Sequence, residues 1–162
     1  MALRYSFVIP VYNRPDEVRE LLHSIKDLDF DEDFEVVIVE DGSTLSSESV
    51  VRKFSDRLNI TYLPKYNTGP GDSRNFGMKH ARGNYFLILD SDVILPSQYL
   101  KEVDKALRKD FVHCFGGPDA AHRNFTPIQK AINYSMTSML TTGGIRGRKQ
   151  MIGKFQPRSF NM

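Results

Sequence analysis

Tryptophan is missing from the 162 residues, cysteine occurs once, and no acidic residue follows Asp119. The single Cys114 excludes an internal disulfide. Its place in the apolar run 111–115 predicts a buried small hydrophobe and suits a reducing compartment. No apolar run approaches the roughly 20 residues that span a bilayer. Residues 1–7 lack the layout of a signal peptide. The expected location is cytoplasmic. No Gly-x-x-x-x-Gly-Lys loop is present, and no Gly-x-Gly-x-x-Gly follows the first strand, so a nucleotide-binding P-loop or a dinucleotide fold is unsupported. The histidines at 23, 80, 113 and 122 are scattered, and no Ser-His-Asp order or nucleophile elbow is visible.

The charge is ordinary in sum and uneven in place. Net charge is +2, yet all 20 acidic side chains lie in residues 1–119 beside 15 of the 22 basic ones, and residues 120–162 hold the other seven basic residues. That segment is either a solvated basic face or a contact for phosphates or anionic lipid, so peripheral membrane association is one expected use. Gly, Thr, Ser and Met dilute the charge, which disfavours nucleic acid as a partner.

What is present is strand and helix in alternation. Residues 5–11 form a continuous apolar run, as for a strand buried on both faces. Pro15 then opens a helix whose Val18, Leu21, Leu22, Ile25 and Leu28 recur at helical spacing. Residues 34–39 read as a second buried strand. The serine-rich stretch 43–49 is expected to cap a helix with Val50, Val51, Phe54 and Leu58 inward. Residues 59–63 read as a third strand, 72–81 as a helix closed by Gly83, and 85–89 as a fourth strand. Pro96 is expected to open a helix carrying Leu100, Val103 and Leu107, before a fifth strand at 111–115. Beyond it, 127–140 reads as a helix and 141–162 mostly as loop. Such alternation predicts an α/β fold with a mostly parallel sheet flanked by helices. Residues 1–118 are expected to bind a donor, with 119–162 beginning an acceptor half of the same domain.

In an open parallel sheet, ligands sit in the crevice at the carboxyl ends of the strands. Three strand ends here turn abruptly polar: Tyr12-Asn13, Glu40-Asp41 and Asp90-Ser91-Asp92. Two carboxylates on one tight loop repel unless a cation or donors neutralise them. Oxygen ligands suit Mg²⁺ or Mn²⁺, shared with substrate phosphates. The same residues also suit a turn or a helix cap. Asp41 is either an acceptor for a base or ribose, or part of a strand-to-helix turn. Arg74, early in a helix after the Gly69-Pro70-Gly71 loop, is either a surface ion-pair residue or a phosphate contact.

Taken in order, Phe7-Val8-Ile9-Pro10-Val11-Tyr12-Asn13, Val37-Ile38-Val39-Glu40-Asp41-Gly42-Ser43, Asn67-Thr68-Gly69-Pro70-Gly71-Asp72-Ser73-Arg74-Asn75 and Leu89-Asp90-Ser91-Asp92 resemble the family 2 glycosyltransferases of the GT-A fold. The match runs over about residues 5–110. The resemblance implies a Rossmann-like sheet, a nucleotide-diphospho-sugar donor, typically with uracil, and transfer with inversion to a glycan, lipid or other acceptor. Pro10 and Tyr12, with Val11 and Asn13 beside them, would line the nucleotide pocket. Asp41, with Glu40, Gly42 and Ser43, would meet the base. Arg74 would support the pyrophosphate, Asp90 and Ser91 would lie near the ribose, and Asp92 would hold Mg²⁺ or Mn²⁺. Members also carry a catalytic acidic residue in an acceptor-binding half. With no Asp or Glu after Asp119, that base is expected beyond Met162, and the sequence reads as a fragment. A nucleotidyltransferase and a non-catalytic nucleotide-sugar-binding module are the competing readings; Val11-Tyr12-Asn13-Arg14-Pro15 is a poor version of the Gly-rich, basic loop the former would want after its first strand.

Overall fold

The computed structural model describes residues 4–116, together with Ile128 and Tyr134. The chain divides into two units, residues 1–111 and 112–161. The expected helix at 127–140, the loop at 141–162, the basic segment 120–162 and Asp119 lie outside the described residues, apart from those two positions.

The first unit runs β1 (Tyr5–Val11), α1 (Pro15–Lys26), β2 (Phe34–Asp41), α2 (Glu48–Arg52), β3 (Ile60–Lys65), α3 (Pro70–His80), β4 (Tyr85–Ile88) and α4 (Tyr99–Lys109). The strands pair in parallel throughout, in the order β3-β2-β1-β4. This is the helix-flanked parallel sheet the alternation implies.

Register explains which residues pack where. Val8 stands opposite Val37 and Ile88, so even positions of β1 share a face with odd positions of β2. On one face Tyr5, Phe7, Ile9 and Val11 meet Val36 and Ile38, and pack on α1, α2 and α4. Those helices supply Val18, Leu21, Leu22 and Ile25, then Val50 and Val51, then Leu100, Val103 and Leu107, the stripes read from the sequence. On the other face α3 lies close to the sheet. A Cβ at Gly77 would meet Val8 Cγ1 at 2.6 Å and Val39 Cγ2 at 3.0 Å. A mid-helix glycine costs roughly 1 kcal/mol against alanine; close approach to the valines is what it permits. α3 leaves Phe86 and Ile88 of β4 partly exposed on this face.

Several boundaries differ from expectation for identifiable reasons. β2 extends to Asp41 because Glu40 pairs with Val11 and Pro64, and Asp41 with Lys65. In the serine-rich stretch, Ser46 Oγ accepts from the Glu48 N–H at 3.1 Å, whereas the Ser47 hydroxyl is buried and has no hydrogen-bond partner among the described residues. The N–H of Ser47 instead donates to Glu40 Oε2 at 2.8 Å. α3 starts at Pro70, where proline is tolerated in the first turn. α4 starts at Tyr99, because a turn closed by the Tyr99 N–H on the Pro96 carbonyl (2.9 Å) precedes it. The fifth strand expected at 111–115 is not formed: the apolar run has strand propensity, but no ladder among the described residues includes it. Cys114, expected buried, is exposed; without a strand nothing turns it into a core. No helix among the described residues is long and apolar enough to cross a membrane.

Candidate nucleotide-binding rim

Because every strand is parallel, the carboxyl ends of β1, β2 and β4 share one edge of the sheet. The chain steps from β1 to β2 and β3 on one side, then places β4 on the other side of β1. The crevice at such a reversal is where open α/β sheets bind ligands. The polar strand ends therefore occupy the rim in the order Glu40-Asp41, Tyr12-Asn13, Asp90-Ser91-Asp92.

At the end of β1, Pro10 is half-buried, Val11 is buried and Tyr12 is 51% exposed. Asn13 takes a left-handed conformation, φ 56°, unlike any other non-glycine residue described. Its N–H donates to Ser43 Oγ at 2.8 Å. Its Oδ1 accepts from the N–H of Thr44 (2.8 Å), the hydroxyl of Thr44 (3.0 Å) and the N–H of Leu45 (2.9 Å). Asn13 thus joins the β1 and β2 loops.

At the end of β2 two carboxylates point to opposite faces. Glu40, 4% exposed, lies on the α2 side. It accepts from the Ser43 hydroxyl, the Ser47 N–H and Tyr62 Oη (3.0 Å). Burial first, then the neighbouring Glu40 carboxylate, pushes the Tyr62 phenol up to about 12. Asp41, also 4% exposed, lies on the α3 side. Its Oδ1 accepts from Lys65 Nζ and from the Thr68 N–H at 2.9 Å, and its Oδ2 from the Gly69 N–H at 2.9 Å. Burial opposes the ionised form of Asp41, but these donors, Lys65 foremost, outweigh it and hold the carboxyl below the usual range. Asn67 Nδ2 also donates to the Asp41 carbonyl at 2.9 Å. Gly42, at φ 70°, passes so close to this loop that a Cβ would meet Asn67 N at 2.6 Å.

Sequence reasoning missed Lys65 and Tyr62. Lys65 is 11% exposed and also reaches Asp72 at 3.4 Å. The signal was the register of the third strand. A strand pairing parallel to β2 and ending two residues later than read puts Lys65 directly opposite Asp41. A cavity of about 400 Å³ opens on this side of the rim, lined by Glu40, Gly42, Ser43, Ser46, Glu48, Tyr62, Pro64 and Lys65.

The end of β4 is different. Asp90 is exposed and pairs with Arg74 of α3 at 2.7 Å. Ser91 Oγ donates to Glu17 Oε2 of α1 at 3.3 Å. Asp92 is exposed and makes no hydrogen bond or ion pair among the described residues. Among the described residues no hydrogen bond or ion pair joins Asp41 to this loop, and β1 separates their strands in the sheet. Among the described residues no group of three or more His, Cys, Asp or Glu converges. The donors at 90–92 are hard oxygens. They fit Mg²⁺ or Mn²⁺ of the kind that takes one or two carboxylates and completes its shell with diphosphate and water, not an all-protein cage.

The chain matches the family model described as Glycosyl transferase family 2 over residues 6–161. It is 36% identical over 103 residues to the poly(ribitol-phosphate) beta-N-acetylglucosaminyltransferase TarS of Staphylococcus aureus, covering 62% of this chain and 18% of that protein. It is 29% identical over 116 residues to the GalNAc(5)-diNAcBac-PP-undecaprenol beta-1,3-glucosyltransferase of Campylobacter jejuni, covering 70% and 37%. The solved structure of TarS 1–349 with UDP-GlcNAc superposes with a TM-score of 0.65 at 30% identity, over 75% of this chain and 39% of that one. A Pyrobaculum calidifontis mannosyltransferase in complex with GDP-Man and Mn²⁺ superposes with a TM-score of 0.61 at 28% identity, over 66% and 33%. The chain therefore spans well under half the length of these relatives. With the fold, the rim and the family model in agreement, this chain belongs to glycosyltransferase family 2.

Proposed function

We propose that this chain binds a nucleotide-diphospho-sugar, with UDP as the nucleotide, for metal-assisted transfer with inversion to a glycan or lipid-linked acceptor. The observation that carries the reading is Asp92: an exposed carboxylate without a partner among the described residues, two residues from Asp90, at the switch point of a parallel sheet. A carboxylate left open at that place is suited to share a cation with a diphosphate. The relatives named above support the donor class, one solved with UDP-GlcNAc and one with GDP-Man and Mn²⁺.

On this reading each strand end takes one part of the donor. Asp41, at the end of β2, keeps its charge and, through Lys65 and the Thr68 and Gly69 N–H groups, fixes the loop against which the base would lie. Tyr12 offers an exposed ring at the end of β1. Arg74 holds Asp90 in place and presents a guanidinium to the diphosphate oxygens. Asp90 would lie near the ribose, and Asp92 would hold Mg²⁺ or Mn²⁺, which supplies charge neutralisation on the departing diphosphate. Transfer then breaks the bond from the anomeric carbon to the diphosphate oxygen and forms one to an acceptor oxygen from the opposite side, the acceptor's hydroxyl proton passing to a carboxylate base outside the described residues. A non-catalytic binding module would use the same rim. The alignments to named transferases favour the enzyme.

The test is calorimetric titration of UDP into the chain with Mn²⁺ and with a chelator. UDP should bind more tightly with metal, and Asp92→Ala should abolish that difference alone. Equal affinity in both conditions removes the metal role, and absence of UDP binding removes the nucleotide reading.

A further inference from the structure

The rim contains a residue whose side chain is spent on a neighbouring loop. Asn13 is the described non-glycine residue at positive φ (56°), a conformation asparagine tolerates better than most. Its Oδ1 accepts three hydrogen bonds, from both the N–H and hydroxyl of Thr44 and from the N–H of Leu45. Two backbone N–H groups aimed at one atom identify it as the oxygen, because an amide nitrogen cannot accept. Its backbone N–H holds Ser43 Oγ, which in turn donates to Glu40. The loop so gripped follows Asp41-Gly42 directly, and the residue before Asn13 is the exposed Tyr12. One side chain thereby fixes the ends of β1 and β2 relative to each other.

We propose that Asn13 is a positioning residue for the nucleotide: it acts through its oxygen on the Thr44–Leu45 backbone, not by touching the donor. This rests on the function proposed above and assigns Asn13 a role within it. Without the clamp, the loop between Gly42 and α2 loses its tie to β1, and the base-facing and ring-facing sides of the pocket no longer keep a fixed separation. Rigid support of this kind is what a preformed ligand site needs.

Two substitutions separate the oxygen from the rest of the residue. Asn13→Gly keeps the left-handed backbone and removes the acceptor. Asn13→Asp keeps an acceptor for Thr44 and Leu45 and removes the amide N–H₂. Both are made in the full chain, and UDP affinity is measured by calorimetry beside amide hydrogen exchange at Thr44 and Leu45. Exchange at the two amides should speed up in Asn13→Gly and stay protected in Asn13→Asp. UDP affinity should fall roughly tenfold or more in Asn13→Gly, given three lost bonds, and stay within about threefold of the parent in Asn13→Asp. Circular dichroism and the thermal midpoint establish that both variants are folded at the titration temperature. Should Asn13→Gly fail to fold, Asn13→Ser, with a shorter oxygen that cannot reach both amides, takes its place under the same expectations. Parent-like binding by the glycine or serine variant overturns the proposal. An aspartate variant that loses as much affinity at high salt as at low salt while its amides stay protected also overturns it, since the grip on the Thr44–Leu45 backbone would then not be what sets affinity. A parent chain that binds no UDP fails the function itself, an outcome separate from either.

Discussion

The two sides of the rim are built on opposite plans. On the β2 side, Glu40 and Asp41 are each 4% exposed, and donors from β3, the loop before α2 and the loop after β3 occupy both. On the β4 side, Asp90 and Asp92 are exposed; among the described residues one has a single arginine partner and the other has none. The same residue type at equivalent strand ends therefore does different work. A carboxylate closed in by donors fixes the shape of a site, because leaving it unpaired would cost more than the contacts it makes. A carboxylate left in water costs the fold nothing and stays available to a ligand. The contrast predicts that substitutions on the β2 side register in stability, and those on the β4 side in binding.

The largest effect should come from Lys65→Met. Removing one member of a buried pair leaves an uncompensated charge, a loss of about 3–5 kcal/mol in comparable cases. Adding Asp41→Asn should recover part of it: the buried charge is removed, but the amide N–H₂ must face the Thr68 or the Gly69 N–H. Urea unfolding of the parent, the single variant and the double variant measures both steps. A single variant as stable as the parent would mean that the β2 side is not braced by this pair, and the comparison would lose its first half.

A second buried carboxylate lies at the far end of the sheet and serves as a control. Glu35, 5% exposed, accepts from Ser6 Oγ and from the backbone N–H groups of Arg82 and Gly83. Burial opposes its ionisation, but the Ser6 and backbone donors outweigh it, so its pKa, like that of Asp41, is depressed. Depressed folded-state values stabilise above the unfolded pKa, about 3.9 for Asp and 4.3 for Glu. That contribution fades as pH drops toward the folded values. Stability should hold near neutrality and decline below about pH 4–5. Glu35→Gln should cost about 1.5–3 kcal/mol at pH 7 and make the acid decline shallower. Urea midpoints from pH 7 down to 3 would show it, and an unchanged slope would discount this carboxylate. Nucleotide affinity at pH 7 should not move, because Glu35 sits away from the rim.

How much of this was legible in the sequence follows from what each part depends on. Strands and helix stripes were legible because burial on both faces leaves a continuous apolar run, as in residues 5–11, and burial on one leaves a 3.6-residue period, as in Val18, Leu21, Leu22 and Ile25. Convergence of the three polar strand ends followed from parallel pairing alone. The pairings within the rim did not. Lys65 meets Asp41 through the register of β3, and Asn13 meets Thr44 through a left-handed backbone, and neither leaves a local pattern. The run 111–115 misled because propensity was present and a ladder was not. Cys114 followed it into error. Within the serine-rich stretch 43–49 it is Ser46 whose hydroxyl accepts a first-turn amide, that of Glu48, while the Ser47 N–H goes to a buried glutamate seven residues away, a pairing that leaves no local pattern.

Smaller effects sharpen the contrast at the two outer strands of the sheet. Tyr62→Phe removes one donor from the buried Glu40 and should cost about 1 kcal/mol, leaving the Ser43 and Ser47 donors in place. Asp92→Asn should change stability by less than about 0.5 kcal/mol, because an exposed side chain without partners has nothing to lose on unfolding. Amide and carboxylate are nearly the same shape, so any change in UDP affinity in the presence of Mn²⁺ reports charge rather than packing. The expected pattern is a crossed one: Tyr62→Phe lowers the urea midpoint and leaves the metal-dependent gain in affinity intact, whereas Asp92→Asn removes the gain and leaves the midpoint alone. If both variants moved both quantities together, the two sides of the rim would be one cooperative unit. The division between a braced carboxylate and an open one would then describe exposure and not function.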